Sequence, residues 1–424
     1  MRQKFSEYQP VPQFYLTGGL KTDVSPGEVK FPFSPSCNNV ITRRHRLVRR
    51  PGLRTSTLPS LGDTATAMIN YQMNLSSVDV IAATSLDIKR LESASWSSLL
   101  PVGSSLHTFP AIVMPTFLSY RGYLVFTNGI DNIWYWDPAN ATMLALEHPT
   151  VPTYGPPLSA RFMFEFFNHL FFAGCVDRAT GLFAPYMIVW NSYLDLFKYQ
   201  GGSAGAAELS SNYGPITGVG VAKDYCLIFH PRQIVVGIPV GYPQNFTFQP
   251  RFPGIGSTSP KSIVSRNGMC IFRGNTNVYI TDGNQDPVPM GDSIFEYTLK
   301  TLEDSARVSQ NIGIYDDIND EYQLWFIGAG SAYYNYCLVF RFKDGSWWLW
   351  STSGAFNAAA MPLFVGSIAP RQVGVTWNVD THAWNDPVYD GVWAEILFPD
   401  SPIVHLVGSN GTFYIEDASV FYDG

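Results

Sequence analysis

The sequence has 424 residues, of which 46% are hydrophobic, 15% aromatic and only 14% charged. Its formal net charge is −7, which argues against a general nucleic-acid or anionic-membrane binder, because such proteins use a basic face. The N-terminus lacks the apolar stretch of a signal peptide, and no uninterrupted apolar run reaches about 18 residues. We therefore expect no secretion and no membrane insertion, and assembly in the cytoplasm.

Residues 1–60 are predicted to form an extended N-terminal arm. This stretch is rich in Pro, Gly and Arg, and it lacks the strand rhythm of the rest of the chain. A basic run, RRHRLVRRPG, extends from Arg43 to Gly52. These side chains could meet DNA phosphates or the acidic surface of a partner, and the simpler alternative is a solvated strand and turn.

Residues 61–424 are predicted to form an all-β propeller of about six to eight blades with inserted loops. Aromatic or β-branched runs, each followed by a tight turn and a second run, recur at intervals of roughly 40 to 55 residues, the period of propeller blades. Because one hairpin cannot bury its apolar face alone, radial stacking of small sheets explains the repeat. Eight such hairpins begin at Val78, Tyr123, Leu170, Tyr225, Met269, Tyr322, Leu363 and Val404.

Turn, loop and helix signals interrupt this rhythm. Asn128-Gly129 and Asp344-Gly345 supply residues that tolerate the positive φ of two-residue hairpin loops. Residues 201–214 (GGSAGAAELSSNYG) concentrate small and polar residues and are predicted to be a loop. Residues 293–308 place apolar side chains at the spacing of one helical face, which predicts one short helix.

The residue types that perform most enzyme chemistry have no recognisable spacing in this chain. Neither the seven histidines nor the five cysteines have metal-ligand spacing, and the Gly-rich and nucleophile motifs of common enzymes are absent. Four cysteines lie in or beside predicted strands, where a free thiol behaves as a small hydrophobe. We expect five free thiols, no catalytic residue, no metal, no cofactor and no enzymatic activity.

Two kinds of segment could be mistaken for ligand sites. The acidic segment 315–322 (YDDINDEY) suggests a calcium loop, but it lacks the ligand spacing of an EF-hand, so a hairpin turn is favoured. The aromatic clusters at 134–136 (WYW) and 347–350 (WWLW) suggest a carbohydrate platform. Because side chains of a strand alternate between its two faces, packing in the core is the better interpretation.

The arm carries a resemblance to a known family. Residues 14–26 (FYLTGGLKTDVSP), 38–40 (NNV) and 49–52 (RRPG) follow one another in an order similar to the opening of the tail nozzle or hub proteins of short-tailed phages. Those proteins continue from this opening into a β-propeller. The motif covers about 40 residues, and the intervening segment of this chain is more aromatic and basic than the family pattern.

The resemblance implies a structural virion protein of the phage tail. Such a protein forms a ring of six copies, binds the tail adaptor protein below the portal, and carries tail fibres or a needle. DNA passes through the ring without specific binding. Because the family has a similar basic turn, an inter-subunit or adaptor contact is favoured over DNA binding for five arginines, namely Arg43, Arg44, Arg46, Arg49 and Arg50.

Two alternative functions remain at this point, together with a prediction about charge. One alternative is a propeller glycosidase or lyase acting on host surface polysaccharide, and the other is a scaffold of the WD or kelch type, whose repeat signatures are absent. For the ring, we expect an acidic or neutral inner wall, because DNA would slide past like charge. Candidate wall residues are Asp316, Asp317, Asp320, Glu321, Asp380 and Asp386.

Overall fold

Short antiparallel sheets make up almost all of the regular structure of the chain. The computed structural model describes residues 18–43, 46–50, 52–55, 58–63, 65–74, 77–92, 95–107, 115–151, 155–241, 244–316, 319–332, 334–352, 364–368, 403–407 and 411–417. Within these ranges seven sheets of four or more strands follow one another, with one separate two-stranded hairpin. This confirms the all-β propeller class predicted from the sequence.

The strands are numbered in chain order. Five of them precede the first complete blade: β1 (Gly19–Leu20), β2 (Phe33–Ser34), β3 (Val40–Arg43), β4 (Arg46–Arg49) and β5 (Gly52–Thr55). Blades 1 to 3 follow: β6 (Ala67–Asn74), β7 (Ser77–Ala83), β8 (Ile88–Glu92), β9 (Ser95–Ser98); β10 (Thr116–Tyr120), β11 (Tyr123–Thr127), β12 (Trp134–Trp136), β13 (Leu144–Ala145); β14 (Ser159–Phe166), β15 (His169–Val176), β16 (Phe183–Trp190), β17 (Gly205–Glu208).

Blades 4 to 7 complete the set. Their strands are β18 (Gly218–Ala222), β19 (Tyr225–Phe229), β20 (Ile234–Gly241), β21 (Asn245–Arg251); β22 (Val264–Arg266), β23 (Met269–Arg273), β24 (Val278–Thr281), β25 (Val288–Pro289); β26 (Ile312–Asp316), β27 (Glu321–Ile327), β28 (Tyr334–Arg341), β29 (Ser346–Ser351); β30 (Phe364–Ile368), β31 (Ile403–Val407) and β32 (Phe413–Asp417).

The first strand of each blade lies next to the first strand of the following blade. Strands β6, β10, β14, β18, β22, β26 and β30 contact one another in this order, and β30 contacts β6. Seven inner strands therefore surround one axis, and the described blades form a closed seven-bladed ring. Two of the eight hairpins predicted from the sequence, those beginning at Leu363 and Val404, fall in blade 7, because residues 369–402 separate its first two strands.

The seventh blade takes its outer strand from the N-terminal part of the chain. Strand β5 pairs antiparallel with β32, with Thr55 opposite Tyr414 and Gly52 opposite Asp417. The ring is therefore closed by pairing between the two ends of the propeller sequence. Strand β5 lies inside the stretch predicted to be the arm, so this sheet crosses the predicted boundary at residue 60.

Apolar side chains fill the spaces between neighbouring blades. One cluster joins blades 1 and 2 through Tyr71, Leu124 and Trp136, and another joins blades 3 and 4 through Trp190 and Phe246. Trp347, Trp348 and Trp350 are buried in the core of blade 6, so core packing of the aromatic segments is confirmed. All five cysteines are buried and free, as predicted.

The non-β predictions have mixed outcomes. The predicted helix at 293–308 is present as a π-helical turn (Phe295–Leu299), an α-helical turn (Lys300–Leu302) and a 3₁₀ helix (Ser305–Gln310). Further 3₁₀ turns are Pro26–Glu28, Ser211–Tyr213 and Pro260–Ser262. The loop prediction for 201–214 is wrong in part, because Gly205–Glu208 forms the outer strand of blade 3. Its small side chains gave no strand signal, since an edge strand needs little apolar surface.

Candidate functional sites

The residues of the arm motif lie along the outer edge of blade 6. Strand β1 pairs in parallel with β29, and β2 pairs in parallel with β1, so this blade has six strands. Gly19 has φ +75°, and a Cβ there would lie 2.5 Å from the carbonyl oxygen of Trp347. Only glycine permits this close approach. The added strands cover a sheet edge that would otherwise expose unpaired backbone groups.

Asn39 fastens the next part of the arm to the same edge. Its Oδ1 accepts hydrogen bonds from Arg50 Nε at 2.9 Å and from the Ser351 backbone N–H at 2.8 Å, and its Nδ2 donates to Ser351 Oγ at 3.1 Å. Asn39 has φ +55°, which asparagine tolerates better than most residues. One side chain therefore joins the residue before the hairpin, the residue after it, and the end of β29.

Strands β3 and β4 form a hairpin that is anchored on blade 6. Ile41 is fully buried, and the Thr42 carbonyl accepts a hydrogen bond from Nη1 of the buried Arg341. Arg341 also bonds Asp344 Oδ2 at 2.5 Å and lies 3.6 Å from Glu321 Oε1. Because a buried guanidinium is held in place by its carboxylate partners, this network fixes the base of the hairpin.

The five predicted interface arginines divide among different environments. The backbones of Arg43 and Arg46 pair in register at the end of the hairpin, and Arg49 is exposed on β4. Arg44 lies outside the described residues. Arg50 is different, because its guanidinium bonds Asn39 and, through Nη2, the Ser351 carbonyl at 3.2 Å. Arg50 therefore helps to fasten the arm within the chain, and the interface role of the five arginines stays a prediction.

The acidic segment 315–322 is a hairpin turn with mostly internal roles. Asp316 and Glu321 face each other across β26 and β27, and both are buried. Asp320 forms an ion pair with Arg266, whose guanidinium lies 3.9 Å from the centre of the Phe342 ring. The prediction that Asp316 and Glu321 line a channel wall is therefore wrong, because their carboxylates are enclosed within the blade. Candidates Asp317, Asp380 and Asp386 lie outside the described residues.

Histidine side chains have structural contacts where the structure describes them. His169 Nδ1 lies 2.8 Å from the Phe167 carbonyl and its Nε2 lies 3.1 Å from Ser203 Oγ. His230 is fully buried, with Nδ1 2.7 Å from the Gly214 carbonyl. Burial lowers the pKa of both imidazoles, because it disfavours the charged form. Within the described ranges no three His, Cys, Asp or Glu side chains converge on a metal position.

A cavity of about 310 Å³ lies on the propeller axis. Its walls come from the inner strands of blades 1, 2, 3, 4 and 6 and from the 3₁₀ turn Pro260–Ser262. They are mainly apolar, with contributions from Met68, Phe117, Phe162 and Met163. Lys261 is the single charged residue among the lining residues that the structure describes.

The backbone that carries Lys261 is held rigidly. The two flanking serines, Ser259 and Ser262, are fully buried, and Ser262 Oγ donates to the Ser259 carbonyl at 2.7 Å. The Ser262 carbonyl accepts from Tyr322 Oη at 2.9 Å, which ties the turn to blade 6. Lys261 Nζ lies 3.4 Å from the Thr66 carbonyl, and burial lowers its pKa to about 8.

Sequence reasoning missed both Asn39 as a fastening residue and Lys261 as an axial residue. Asn39 belongs to the NNV stretch, so its place in the motif was the available signal. Lys261 is the one charge in the stretch STSPKSIV, at 257–264. A lone charge before an inner strand cannot be placed on the axis until the closure of the ring is known.

Comparisons with known proteins show likeness in shape alone. No family model and no curated protein matches the sequence. Among solved structures, the WD40 domain of Neurospora crassa Pan2 is 8% identical with a TM-score of 0.44, the match covering 86% of this chain and 94% of that one. The CNH domain of AfRom2 is also 8% identical, with a TM-score of 0.43 and coverage of 86% and 99%.

A third similar structure is the extracellular domain of the hybrid two component system BT3049 from B. thetaiotaomicron, at 15% identity and a TM-score of 0.41. That match covers 69% of this chain and only 37% of the other. The propeller assignment therefore stands on the seven sheets themselves. In the part of the chain that the structure describes, no helix is long and apolar enough to cross a membrane.

Proposed function

We propose that this chain is a structural protein of a phage tail, the nozzle or hub of a short-tailed phage. Six copies form a ring around the DNA channel and link the adaptor and portal region to the tail tip and its fibres. The proposal begins from the resemblance of residues 14–52 to the opening of that family. The propeller that follows agrees with it, although many unrelated functions use propellers.

One observation carries the proposal beyond the sequence motif. The motif stretches lie far apart along the arm, yet Gly19, Asn39 and Arg50 all contact β29 or the residues beside it. Together they fasten the arm and present the hairpin of β3 and β4 at the edge of blade 6. A motif used only for folding would need no basic turn, so we assign the turn to contact with a neighbouring copy or the adaptor.

Charge supports this assignment. The whole chain has a net charge of −7, whereas the hairpin turn is basic. A basic turn on one copy and the acidic surface of the next are complementary, which favours association and fixes its orientation. DNA would pass between the copies and not through the propeller, because the cavity on the propeller axis has a volume of only about 310 Å³.

The enzyme alternative has no comparable support. Hydrolysis of a glycosidic bond uses two carboxyl groups on opposite sides of the scissile bond. The described lining of the axial cavity contains neither Asp nor Glu. A structural role in a ring therefore remains the better proposal.

The test compares assembly of the full chain with that of two charge-reversal variants. We expect the wild-type chain to assemble, as measured by light scattering after size exclusion, to six times its mass of 47.2 kDa. Arg43→Glu with Arg46→Glu should abolish the ring while circular dichroism stays unchanged. The matched control reverses two basic residues on blade 4, Lys223 and Arg232, which are exposed. A wild-type chain that stays monomeric at high concentration would contradict the proposal.

A further inference from the structure

The axial cavity combines apolar walls with one cation that has no carboxylate partner among the described residues. Lys261 is half-buried, whereas the two fully buried arginines that the structure describes are paired: Arg273 Nη2 lies 2.6 Å from Glu303 Oε2, and Arg341 contacts both Glu321 and Asp344. Lys261 Nζ lies 3.4 Å from the Thr66 carbonyl oxygen, which is long for a hydrogen bond. An ammonium group in apolar surroundings without a counter-charge is unfavourable.

A water-filled cavity would satisfy the lysine only in part. Ordered water needs two to four polar partners, and the described lining offers few beside Lys261, among them Thr116. The side chains of Met68, Phe117, Phe162 and Met163 instead present apolar surface. A molecule with an apolar body and one anionic group would satisfy both parts of the cavity, by burying its body and pairing its charge.

We propose that the axial cavity is a binding site for a small amphiphilic carboxylate, with Lys261 as the residue that pairs with its carboxylate group. The cavity of about 310 Å³ equals the volume of roughly ten waters at about 30 Å³ each. Because bonded atoms occupy less volume than separate waters, this accommodates a carboxylate of the size of 4-phenylbutyrate. Hydrogen bonds of Ser262 to Ser259 and Tyr322 hold the backbone from which Lys261 extends. This site does not depend on the tail role of the chain.

The first test uses the wild-type chain and two probes of nearly equal shape. We expect 4-phenylbutyrate to bind, as measured by calorimetry, at least tenfold more tightly than the neutral 4-phenylbutanamide. Binding of the carboxylate should weaken between pH 7 and pH 9, because the ammonium group loses its proton near its pKa of about 8. Equal affinity for the two probes, or binding that does not change with pH, would overturn the proposal.

The second test removes the charge with little change in volume. Lys261→Met should abolish the preference for the carboxylate, whereas Lys223→Met, on an exposed turn of blade 4, should leave it unchanged. If acetate or chloride displaces 4-phenylbutyrate at equal concentration, the site takes an adventitious ion only and the amphiphile class is wrong. If Lys261→Met does not fold, the comparison of the two probes on the wild-type chain still decides.

Discussion

Replacing Asn39 should weaken the attachment of the arm to blade 6. Asn39→Ala removes three hydrogen bonds, one of them from a charged guanidinium. A hydrogen bond to a charged group contributes about 1.5 kcal/mol or more and a neutral one about 1 kcal/mol. Alanine at φ +55° adds about 1 kcal/mol of backbone strain. The free energy of unfolding should therefore fall by about 4.5 kcal/mol for alanine and by about 3.5 kcal/mol for Asn39→Gly, which avoids the strain.

Two measurements report this loss. If the chain unfolds as one unit, the entropy of unfolding is about 2.1 cal/mol/K for each of 424 residues. The losses given above for the two Asn39 variants then correspond to a drop in Tm of about 4–5 °C. If the arm opens by itself, hydrogen exchange at β1, β3 and β4 should accelerate by roughly a hundredfold or more. Amides of blade 3 should then keep their protection. Unchanged Tm and unchanged exchange at Ser351 in Asn39→Ala would refute the fastening role.

Two further predictions concern buried charges elsewhere in the propeller. In chemical denaturation, Glu303→Ala should lower the free energy of unfolding by about 3 kcal/mol or more, because it leaves the buried Arg273 without its carboxylate partner. The control Glu296→Ala breaks an exposed pair with Lys300 and should lower the free energy of unfolding by less than about 0.5 kcal/mol. Equal losses in the two variants would contradict this prediction. Burial lowers the pKa of His230 in the folded state, so the contribution of His230 to stability is present above its unfolded pKa and is lost as the pH falls. Tm measured from pH 7.5 to pH 5 should therefore decline more steeply in the wild type than in His230→Gln. Parallel curves would show that the protonation of His230 does not change on unfolding.

The hairpin rhythm was a sound guide to the blades, because each blade repeats the same contrast between apolar strands and tight turns. Six of the predicted hairpins begin within a residue of the second strand of blades 1 to 6, for example at Tyr123 and Met269. The rhythm failed at blade 7. There the 34 residues from 369 to 402 separate two strands of one sheet, so one blade was counted as two.

The closure of the ring and the position of the functional residues were harder to predict. Strand β5 has a short polar sequence, GLRT, whose strand character depends on its pairing with β32. The same limit applies to Lys261, whose surroundings come from five blades. Local pattern reports which segments form strands, whereas contacts between distant segments decide which side chains meet. The position of an isolated charge, and the free energy needed to bury it, can therefore be judged only from the folded ring.

The most direct test of the central claim is a density map of the assembled protein by electron cryomicroscopy. We predict a ring of six chains, with the hairpin of Val40–Arg43 and Arg46–Arg49 at a contact with the neighbouring copy or the adaptor, and an open lumen between the propellers. The inner wall should be acidic or neutral, because like charge lets DNA slide. A monomeric propeller, or a lumen lined by a continuous belt of Lys and Arg, would contradict the account of a passive DNA conduit.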